Sequence, residues 1–312
     1  MSALGKIIQV WLLAIALACC PAQAQAQELL QVTWPTKLAA KPAAFQGTAA
    51  DLLPAFRIGL ATLSERQVVA LALAGPAVLG LNDADAKELA PLADARYKLI
   101  EADPVFSKAP SALPYCFSER QPSNGLAMVY VPKGADAKAR VMVFIHGLGG
   151  SFLWYQHLLA EAFPDRIIIC PAYGIVSKDI PAAYVAECMD AVAKKLGHPL
   201  PKPDLAGLSN GGLGACQVYT DAPGSFGRLL VIAAYPPKDT ADQFRKEMSA
   251  YFIAGENEAY VASGYYAEMI KAAAARGATV RGDVIAGGNH FFLLTHKDET
   301  VKLLREWDAA AR

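Results

Sequence analysis

The 312-residue chain lacks a net charge, because 29 Lys and Arg residues balance 29 Asp and Glu residues, and it has no long run of like charge. Proteins that bind nucleic acid or anionic membrane surfaces usually present a basic patch or stripe. The composition therefore favours neither kind of partner. Since 54% of the residues are hydrophobic, the chain can bury a sizeable core. Its length suits one large domain with an appendage, or two domains.

Metal-binding patterns are also missing. The chain has six cysteines and five histidines, and it contains neither Cys-x-x-Cys nor His-Glu-x-x-His. Structural zinc sites and metalloprotease helices need such spacings, because several ligands must reach one ion from one turn or one helix face. We therefore predict no metal site and no cofactor, which leaves chemistry that side chains perform alone.

Long apolar runs are scarce, and the one near the N-terminus, over residues 7–20, is too short for a comfortable membrane span. A lysine precedes it, and the small residues after it offer cleavage after Ala24 or Ala26. This pattern predicts a secretory signal over residues 1–26 and an exported protein, periplasmic or secreted. A lipoprotein modified at Cys20 is a less favoured alternative, since the residue before that cysteine is not one of the usual small ones.

Four cysteines remain once the signal is removed: Cys116, Cys170, Cys188 and Cys216. In an oxidising compartment an even number of cysteines suggests disulfides, and four cysteines allow three pairings. The alternative is buried free thiols, because Cys170 ends an apolar strand and Cys216 lies within a helical stretch. Both interpretations stay open.

Residues 27–109 form a lead-in and a helical appendage in our prediction, with no constellation of chemically active residues. The first part lacks clear periodicity and is expected to be extended. Ser64 opens a helix with a capping-box pattern, and Gly75 ends it. Asn82 begins a second helix, which we expect to break at Pro91. The role of these helices is not evident from their residues.

Residues 110–312 alternate between strands and helices about six times. Val141–Ile145 is five apolar residues without polar alternation, which is typical of a strand buried on both faces. Similar runs follow at 166–170, 203–208 and 229–234. The fold class predicted is therefore α/β, a mostly parallel sheet with helices on both faces.

Polar residues and glycines follow several of these strands, at the sheet edge where α/β proteins gather functional groups. Gly207–Gly211 reads Gly-Leu-Ser-Asn-Gly between a strand and a helix, as in a nucleophile elbow, a sharp turn that exposes a serine hydroxyl. Carboxylates follow a later strand at 256–258, and His290 follows the last one. The chain order serine, acid, histidine is one of the known arrangements of the serine triad.

The region 110–312 resembles the α/β-hydrolase fold superfamily. The resemblance rests on four motifs: His-Gly-Leu-Gly-Gly-Ser at 146–151, Gly-Leu-Ser-Asn-Gly-Gly at 207–212, Gly-Glu-Asn-Glu at 255–258 and Gly-Gly-Asn-His at 287–290. Together they are specific to the superfamily and not to a substrate. The serine motif also has a loose likeness to secreted polyester-depolymerase and feruloyl-esterase-like members.

The resemblance implies a nucleophile, Ser209, and a base, His290, that takes the proton of the serine. The acid it implies is Glu258, with Glu256 as a near competitor. Family members usually have Asp at the matching position, and the longer Glu needs a backbone set further back.

The resemblance also implies an oxyanion hole made of the backbone N–H groups of Asn210 and Leu148. Gly207 and Gly211 would allow the tight turn at the elbow. His146 and Gly147 would support the glycine-rich loop in a structural role.

The function predicted is an exported serine hydrolase that cleaves small-molecule or polymeric carboxylic esters through an acyl-enzyme. A peptidase or amidase with the same triad is one alternative, and a non-catalytic binding protein on this fold is another. The 15 or so residues between Tyr235 and Tyr251 leave room for one short helix and no cap domain, so we expect an open site.

Overall fold

A computed structural model describes residues 27–75 and 82–310 of the protein. The predicted signal, with its two cysteines, lies outside the described residues. The strands are β1 (Glu28–Pro35), β2 (Asn124–Val131), β3 (Arg140–Ile145), β4 (Arg166–Ala172), β5 (Asp204–Leu208), β6 (Leu229–Ile232), β7 (Ser249–Gly255) and β8 (Thr279–Ile285).

Twelve helices occur in the described part of the chain, and none of them combines the length and apolar character needed to cross a bilayer. They are α1 (Thr48–Thr62), α2 (Glu65–Ala74), α3 (Asp83–Ala102), α4 (Leu113–Cys116), α5 (Leu153–Ala162), α6 (Ala182–Leu196), α7 (Asn210–Asp221), α8 (Lys238–Ala241), α9 (Ala259–Ala262), α10 (Tyr265–Ala275), α11 (Phe292–Thr295) and α12 (Lys297–Ala309).

All eight strands form one sheet in the order β1-β2-β4-β3-β5-β6-β7-β8. From β4 to β8 the neighbours pair in parallel, whereas β2 is antiparallel to both β1 and β4. Along β3, Val141 and Val143 enter the core on one face while Met142 and Phe144 enter the core on the other. This double burial explains the uninterrupted apolar runs. The predicted fold class is confirmed.

β1 differs from the expectation, because residues 27–46 were predicted to be an extended lead-in and Glu28–Pro35 instead pairs with β2 along its whole length. Val32 and Trp34 are buried while Gln31 and Thr33 are exposed, which is the two-residue alternation of a half-buried edge strand. The segment before residue 110 therefore supplies one strand to the sheet as well as the helices.

The helical appendage, here α1 to α4, follows the sequence signals at its helix ends. The Ser64 side chain accepts the backbone N–H of Gln67 in a capping box, and Asn82 caps α3. α3 continues through Pro91, so the predicted break is wrong. Pro91 faces solvent, and the buried face of α3 runs on past it to Tyr97, so packing on both sides compensates for the lost hydrogen bond.

The four cysteines of the described chain are free and buried. Burial raises the pKa of the Cys116 thiol to about 12, offset in part by a contact with the Ser151 backbone N–H. It raises the pKa of the other three still further. These cysteines are therefore buried free thiols and not disulfides.

A buried ion network lies at the amino ends of the strands. The Arg166 guanidinium is 2.8 Å from Asp204 and 2.6 Å from Asp308, and it also lies over the Trp307 ring. Arg140 and Arg228 extend the network to its two sides. A buried arginine needs such complete pairing, because an unpaired charge there is strongly destabilising. The network ties α12 to the sheet at the end opposite the elbow serine.

Glu65 joins the appendage to the rest of the fold. Its carboxylate is buried at the start of α2 and accepts hydrogen bonds from Tyr97 Oη at 2.8 Å, from Ser111 Oγ and from the Leu153 backbone N–H at 2.7 Å. Burial raises the pKa of Glu65 to about 7, and the three hydrogen bonds only partly oppose this rise. Uncharged phenol and thiol groups of Tyr155 and Cys116 complete its surroundings.

We expect Glu65 to make the stability of the protein depend on pH. Since its folded pKa exceeds the unfolded value, the folded state binds the extra proton between pH 4.5 and about 7. The stabilisation is complete below pH 4.5 and is lost as the pH rises through about 7, a change of about 3 kcal/mol. Urea unfolding of wild type and Glu65→Gln at several pH values measures it. Parallel pH profiles for the two proteins would contradict the assignment.

Candidate active site

Ser209 lies between β5 and α7 in a strained turn, with φ 53° and ψ −118°. A non-glycine residue rarely adopts a positive φ, and such strain persists only where the surroundings enforce it. Here the Ser209 N–H donates to the Ile232 carbonyl of β6 at 2.8 Å, and its own carbonyl accepts from Gly212 N–H at 2.8 Å. The serine is therefore held from both sides by regular structure.

Two glycines make this turn possible, because the backbone of neighbouring segments lies too close to them to leave room for a Cβ. A Cβ at Gly207 would overlap the Gly211 carbonyl group, and a Cβ at Gly211 would overlap the carbonyl oxygens of Ile145 and His146. The start of α7 thus packs directly on the end of β3. This contact brings the serine turn next to the loop that follows β3.

A continuous chain of hydrogen bonds connects Ser209, His290 and Glu258. The Ser209 Oγ lies 2.8 Å from His290 Nε2, and His290 Nδ1 lies 2.8 Å from Glu258 Oε2. With its proton on Nδ1, the imidazole donates to the carboxylate and leaves Nε2 free to accept from the serine hydroxyl. The His290 side chain is 43% exposed and that of Glu258 is 5% exposed. The series of hydrogen bonds therefore runs from the solvent into the protein.

Glu256, the competing acid, makes a different contact. Its Oε2 accepts the Gly287 backbone N–H at 2.7 Å, and Asn257 Nδ2 donates to the Gly287 carbonyl at 3.0 Å. These bonds fasten the loop after β7 to the loop after β8, on which His290 lies. Glu256 therefore supports the histidine loop and does not contact the imidazole.

Tyr260 lies on α9 near the second oxygen of Glu258. The Tyr260 hydroxyl and Glu258 Oε1 are both buried, and neither makes a hydrogen bond of good geometry among the described residues. Burial, followed by the charge of Glu258, raises the pKa of Tyr260 well above its ordinary value. The phenol therefore keeps its proton and is the available donor for Oε1.

His146 contacts the glycine-rich loop. It is fully buried, and its ring bridges the Gly147 carbonyl, 2.8 Å from Nδ1, and the Tyr173 backbone N–H, 3.0 Å from Nε2. Since Nε2 accepts a hydrogen bond, the ring carries its proton on Nδ1. Burial lowers the pKa of His146 to about 4, so the ring is neutral at ordinary pH.

The two amides expected to form an oxyanion hole are unpaired. Neither Leu148 N–H nor Asn210 N–H donates to another group within the described parts of the chain. Asn210 is the first residue of α7, whose N-terminal amides have no partner inside the helix. Leu148 is 57% exposed on its loop, so its amide is accessible to a ligand.

The loop after β4 holds both of these amides in place, and the motif analysis did not include it. Asn210 Oδ1 accepts the backbone N–H groups of Ser177 and Lys178 at 2.8 and 2.9 Å. Gly149 N–H donates to Ile175 O at 2.9 Å, and Ser177 Oγ donates to the His146 carbonyl. Its position in the sequence could have identified this loop, because it also follows the carboxyl end of a strand.

The site is open to solvent. The chain between β6 and β7 contains one four-residue helix, α8, and no cap. A cleft of about 630 Å³ elsewhere on the surface, lined by Asp103, Tyr130 and His157 among others, contains none of the three connected residues. Within the described residues no group of three His, Cys, Asp or Glu could hold a metal ion.

No family model and no curated protein matches the chain. Among solved structures it is similar to a thermostable esterase, at 16% identity over 59% of each chain with a TM-score of 0.45. It is also similar to an acylaminoacyl peptidase of Pyrococcus horikoshii, at 12% identity over 59% of this chain and 39% of that one, TM-score 0.49. Est1E of Butyrivibrio proteoclasticus aligns at 13% identity over 60% and 94%, TM-score 0.47.

These likenesses are too weak to say anything about activity, and the matched part is under two thirds of the thermostable esterase. The α/β-hydrolase fold expected from the sequence is evident in the sheet itself. Its strand order places the serine, the glutamate and the histidine after β5, β7 and β8 at one edge.

The two glutamates should respond differently to the same substitution. Glu258→Gln removes the charge that would stabilise a protonated His290, and we expect kcat for a chromogenic ester, the predicted kind of substrate, to fall roughly 10²–10⁴-fold. Glu256→Gln keeps an acceptor for Gly287 N–H and should stay within about threefold of wild type. Steady-state kinetics of both variants measure this. A large loss in Glu256→Gln with full activity in Glu258→Gln would reverse the assignment.

Proposed function

We propose that the protein is a serine hydrolase that cleaves carboxylic esters through an acyl-enzyme. The observation that supports this most is the hydrogen-bonded chain from Ser209 through His290 to the buried Glu258. A serine hydroxyl is a poor nucleophile unless a neighbouring base takes its proton, and the base needs a third group to orient it. His290 and Glu258 are the side chains that fill these two roles beside Ser209.

In the first step, Ser209 Oγ attacks the ester carbonyl while His290 Nε2 takes its proton. The imidazolium that forms is stabilised by Glu258 through Nδ1. The carbonyl oxygen becomes an oxyanion, for which the unpaired amides of Leu148 and Asn210 are the donors. Because these amides belong to a packed backbone, they need little reorganisation as the charge develops.

In the second step, the tetrahedral intermediate collapses and His290 gives its proton to the leaving alcohol. The acyl group stays on Ser209 Oγ. A water molecule, deprotonated by His290, then attacks the acyl carbonyl through a second intermediate. The carboxylic acid leaves, Ser209 regains its proton, and the enzyme returns to its initial state.

The substrate class we propose is small-molecule or polymeric esters. The absence of a cap between β6 and β7, together with the exposure of His290 and Leu148, supports access by a large or chain-like substrate.

We also propose that the protein is exported, on the strength of the signal predicted over residues 1–26. N-terminal sequencing of the protein purified from its own cells should find a mature chain that begins after Ala24 or Ala26. A mature N-terminus at Met1 would contradict export by this route, and a lipid on Cys20 would support the lipoprotein alternative.

The central experiment is a panel of chromogenic esters of increasing acyl length, with a matched anilide, run on wild type and Ser209→Ala. Wild type should hydrolyse esters and react with a fluorophosphonate probe. Ser209→Ala should lose roughly 10⁴-fold or more in kcat and all labelling, with an unchanged circular dichroism spectrum. Faster hydrolysis of the anilide than of the matched ester would indicate an amidase. No turnover and no labelling in folded wild type would indicate a binding protein.

A further inference from the structure

The glycine-rich loop after β3, residues 147–152, is held at its two ends by different parts of the protein. We infer that the helical appendage fixes the downstream half of this loop and that Glu65 is the positioning residue for the oxyanion-binding amide of Leu148. The inference rests on the proposed function, since it gives the appendage a part in the same site.

The upstream half of the loop is held by the sheet. His146 bonds to the Gly147 carbonyl and to Tyr173 after β4. Gly149 N–H donates to Ile175 O. These contacts come from residues of the hydrolase fold itself, and they end at Gly149.

The downstream half is held by the appendage. Gly150 has φ 113°, and a Cβ there would lie 3.1 Å from both Leu113 Cδ2 and Cys116 Sγ, so the loop backbone rests on α4. The Phe152 side chain packs into an apolar cluster whose buried members are Leu60, Val68 and Leu113 of α1, α2 and α4. Phe152 also contacts Tyr155 of α5 and the core beneath the sheet, so it connects the appendage with the hydrolase fold.

Glu65 provides a further contact between the appendage and the downstream end of the loop. Leu153, directly after the loop, is the first residue of α5, and its backbone N–H donates to Glu65 Oε1 at 2.7 Å. No side chain of α5 itself caps this helix end. A carboxyl group from α2 therefore caps α5, where an acceptor satisfies an otherwise unpaired amide and a negative charge is favourable.

Burying a carboxyl group is costly unless its oxygens are bonded, and an apolar residue would serve better if α2 only had to pack. Glu65 instead has three donors on three segments: Tyr97 of α3, Ser111 before α4, and Leu153 of α5. Through Glu65 the appendage holds the first amide of α5 by a hydrogen bond, next to the contact of the Cys116 thiol with Ser151 N–H.

The consequence concerns the amide of Leu148, which lies between the upstream contacts of Gly147 and Gly149 and two residues before the first downstream contact, at Gly150. An oxyanion donor stabilises the transition state only if its N–H points to one place before the charge develops. With glycines at 149 and 150 in positive φ, the loop has little stiffness of its own. Loss of the downstream anchor should therefore cost transition-state binding more than substrate binding.

The test compares Glu65→Ala with Glu65→Gln in the full mature chain. For Glu65→Ala we expect kcat per titrated active site to fall about 10- to 100-fold, as for a misplaced catalytic group, with KM changed less than threefold. The affinity for a trifluoromethyl ketone, which forms an oxyanion on the serine, should fall by the same factor as kcat/KM. Glu65→Gln should recover most of the loss, since its amide oxygen still accepts from Leu153.

Arg66→Ala is the matched control, because Arg66 bonds only to Asp94 and Glu101 within the appendage. It should lower Tm without changing kcat per titrated site. Hydrogen exchange gives a readout independent of activity: the Leu153 amide should exchange faster in Glu65→Ala and at the wild-type rate in Arg66→Ala. If Glu65→Ala does not fold, Phe152→Ala replaces it, with the same expected loss of kcat and inhibitor affinity.

Wild-type kcat and inhibitor affinity per titrated site in the folded variant would overturn the inference, as would equal losses in Arg66→Ala. Either result leaves the proposed function intact, because wild type would still hydrolyse esters through Ser209. Failure of the proposed function looks different: wild type itself would show neither turnover nor labelling. In that case accelerated exchange at Leu153 in Glu65→Ala would still support the anchor, and unchanged exchange would refute it.

Discussion

The contact between α7 and the end of β3 is the constraint on which the rest of the site depends. Gly211 has no room for a Cβ because the carbonyls of Ile145 and His146 occupy that space, and Gly207 is equally restricted. This close approach forces the positive φ of Ser209, a conformation that costs about 1–3 kcal/mol. The paired strands on either side offset that cost. The proposed nucleophile, Ser209, is therefore positioned by the sheet, while the groups proposed to act on it lie on loops.

Those loops differ in how their position is secured. His290 depends on the β8 loop, which Glu256 and Asn257 fasten to the β7 loop. The glycine-rich loop after β3 depends on His146 and Ile175 at one end and on the appendage at the other. In each case side chains bond to backbone amides or carbonyls, exposed ones at Glu256 and Asn257 and buried ones at His146 and Glu65. Such bonds fix the main chain without requiring a large core beneath the loop.

Local constraints made part of this structure predictable from the sequence. Strands such as β3 are apolar throughout because both faces are buried, and the elbow glycines are required by sterics within a few residues. β1 was missed because its pairing partner lies about 100 residues away. The chain over 259–276 forms two helices, α9 and α10, because Gly264 between them has φ 80°. The anchoring role of the Asn210 side chain depends on a loop that only the folded chain brings near.

The two glutamates after β7 show where sequence reasoning stops. Glu256 and Glu258 are two residues apart, carry the same group, and both follow a strand at the correct edge. Their contacts differ because the chain turns here: Glu256 lies in the turn and accepts from Gly287 N–H, while Glu258 is the N-cap residue before α9 and contacts His290. No propensity distinguishes these directions, since the turn is set by its bonds to the β8 loop.

The partners of buried charged groups differ between the two ends of the sheet. The difference fits structural support at the amino ends of the strands and the proposed reaction at their carboxyl ends. At the amino ends, Arg166 is paired with two aspartates, so the network has fixed charges and contributes rigidity. At the carboxyl ends, Glu65 is surrounded by neutral donors and Glu258 by a histidine and a phenol. Glu65 can change its own charge, and Glu258 is placed to stabilise a charge that appears on His290. The proposed reaction, which moves a proton and forms a transient oxyanion, needs groups of this second kind beside the site.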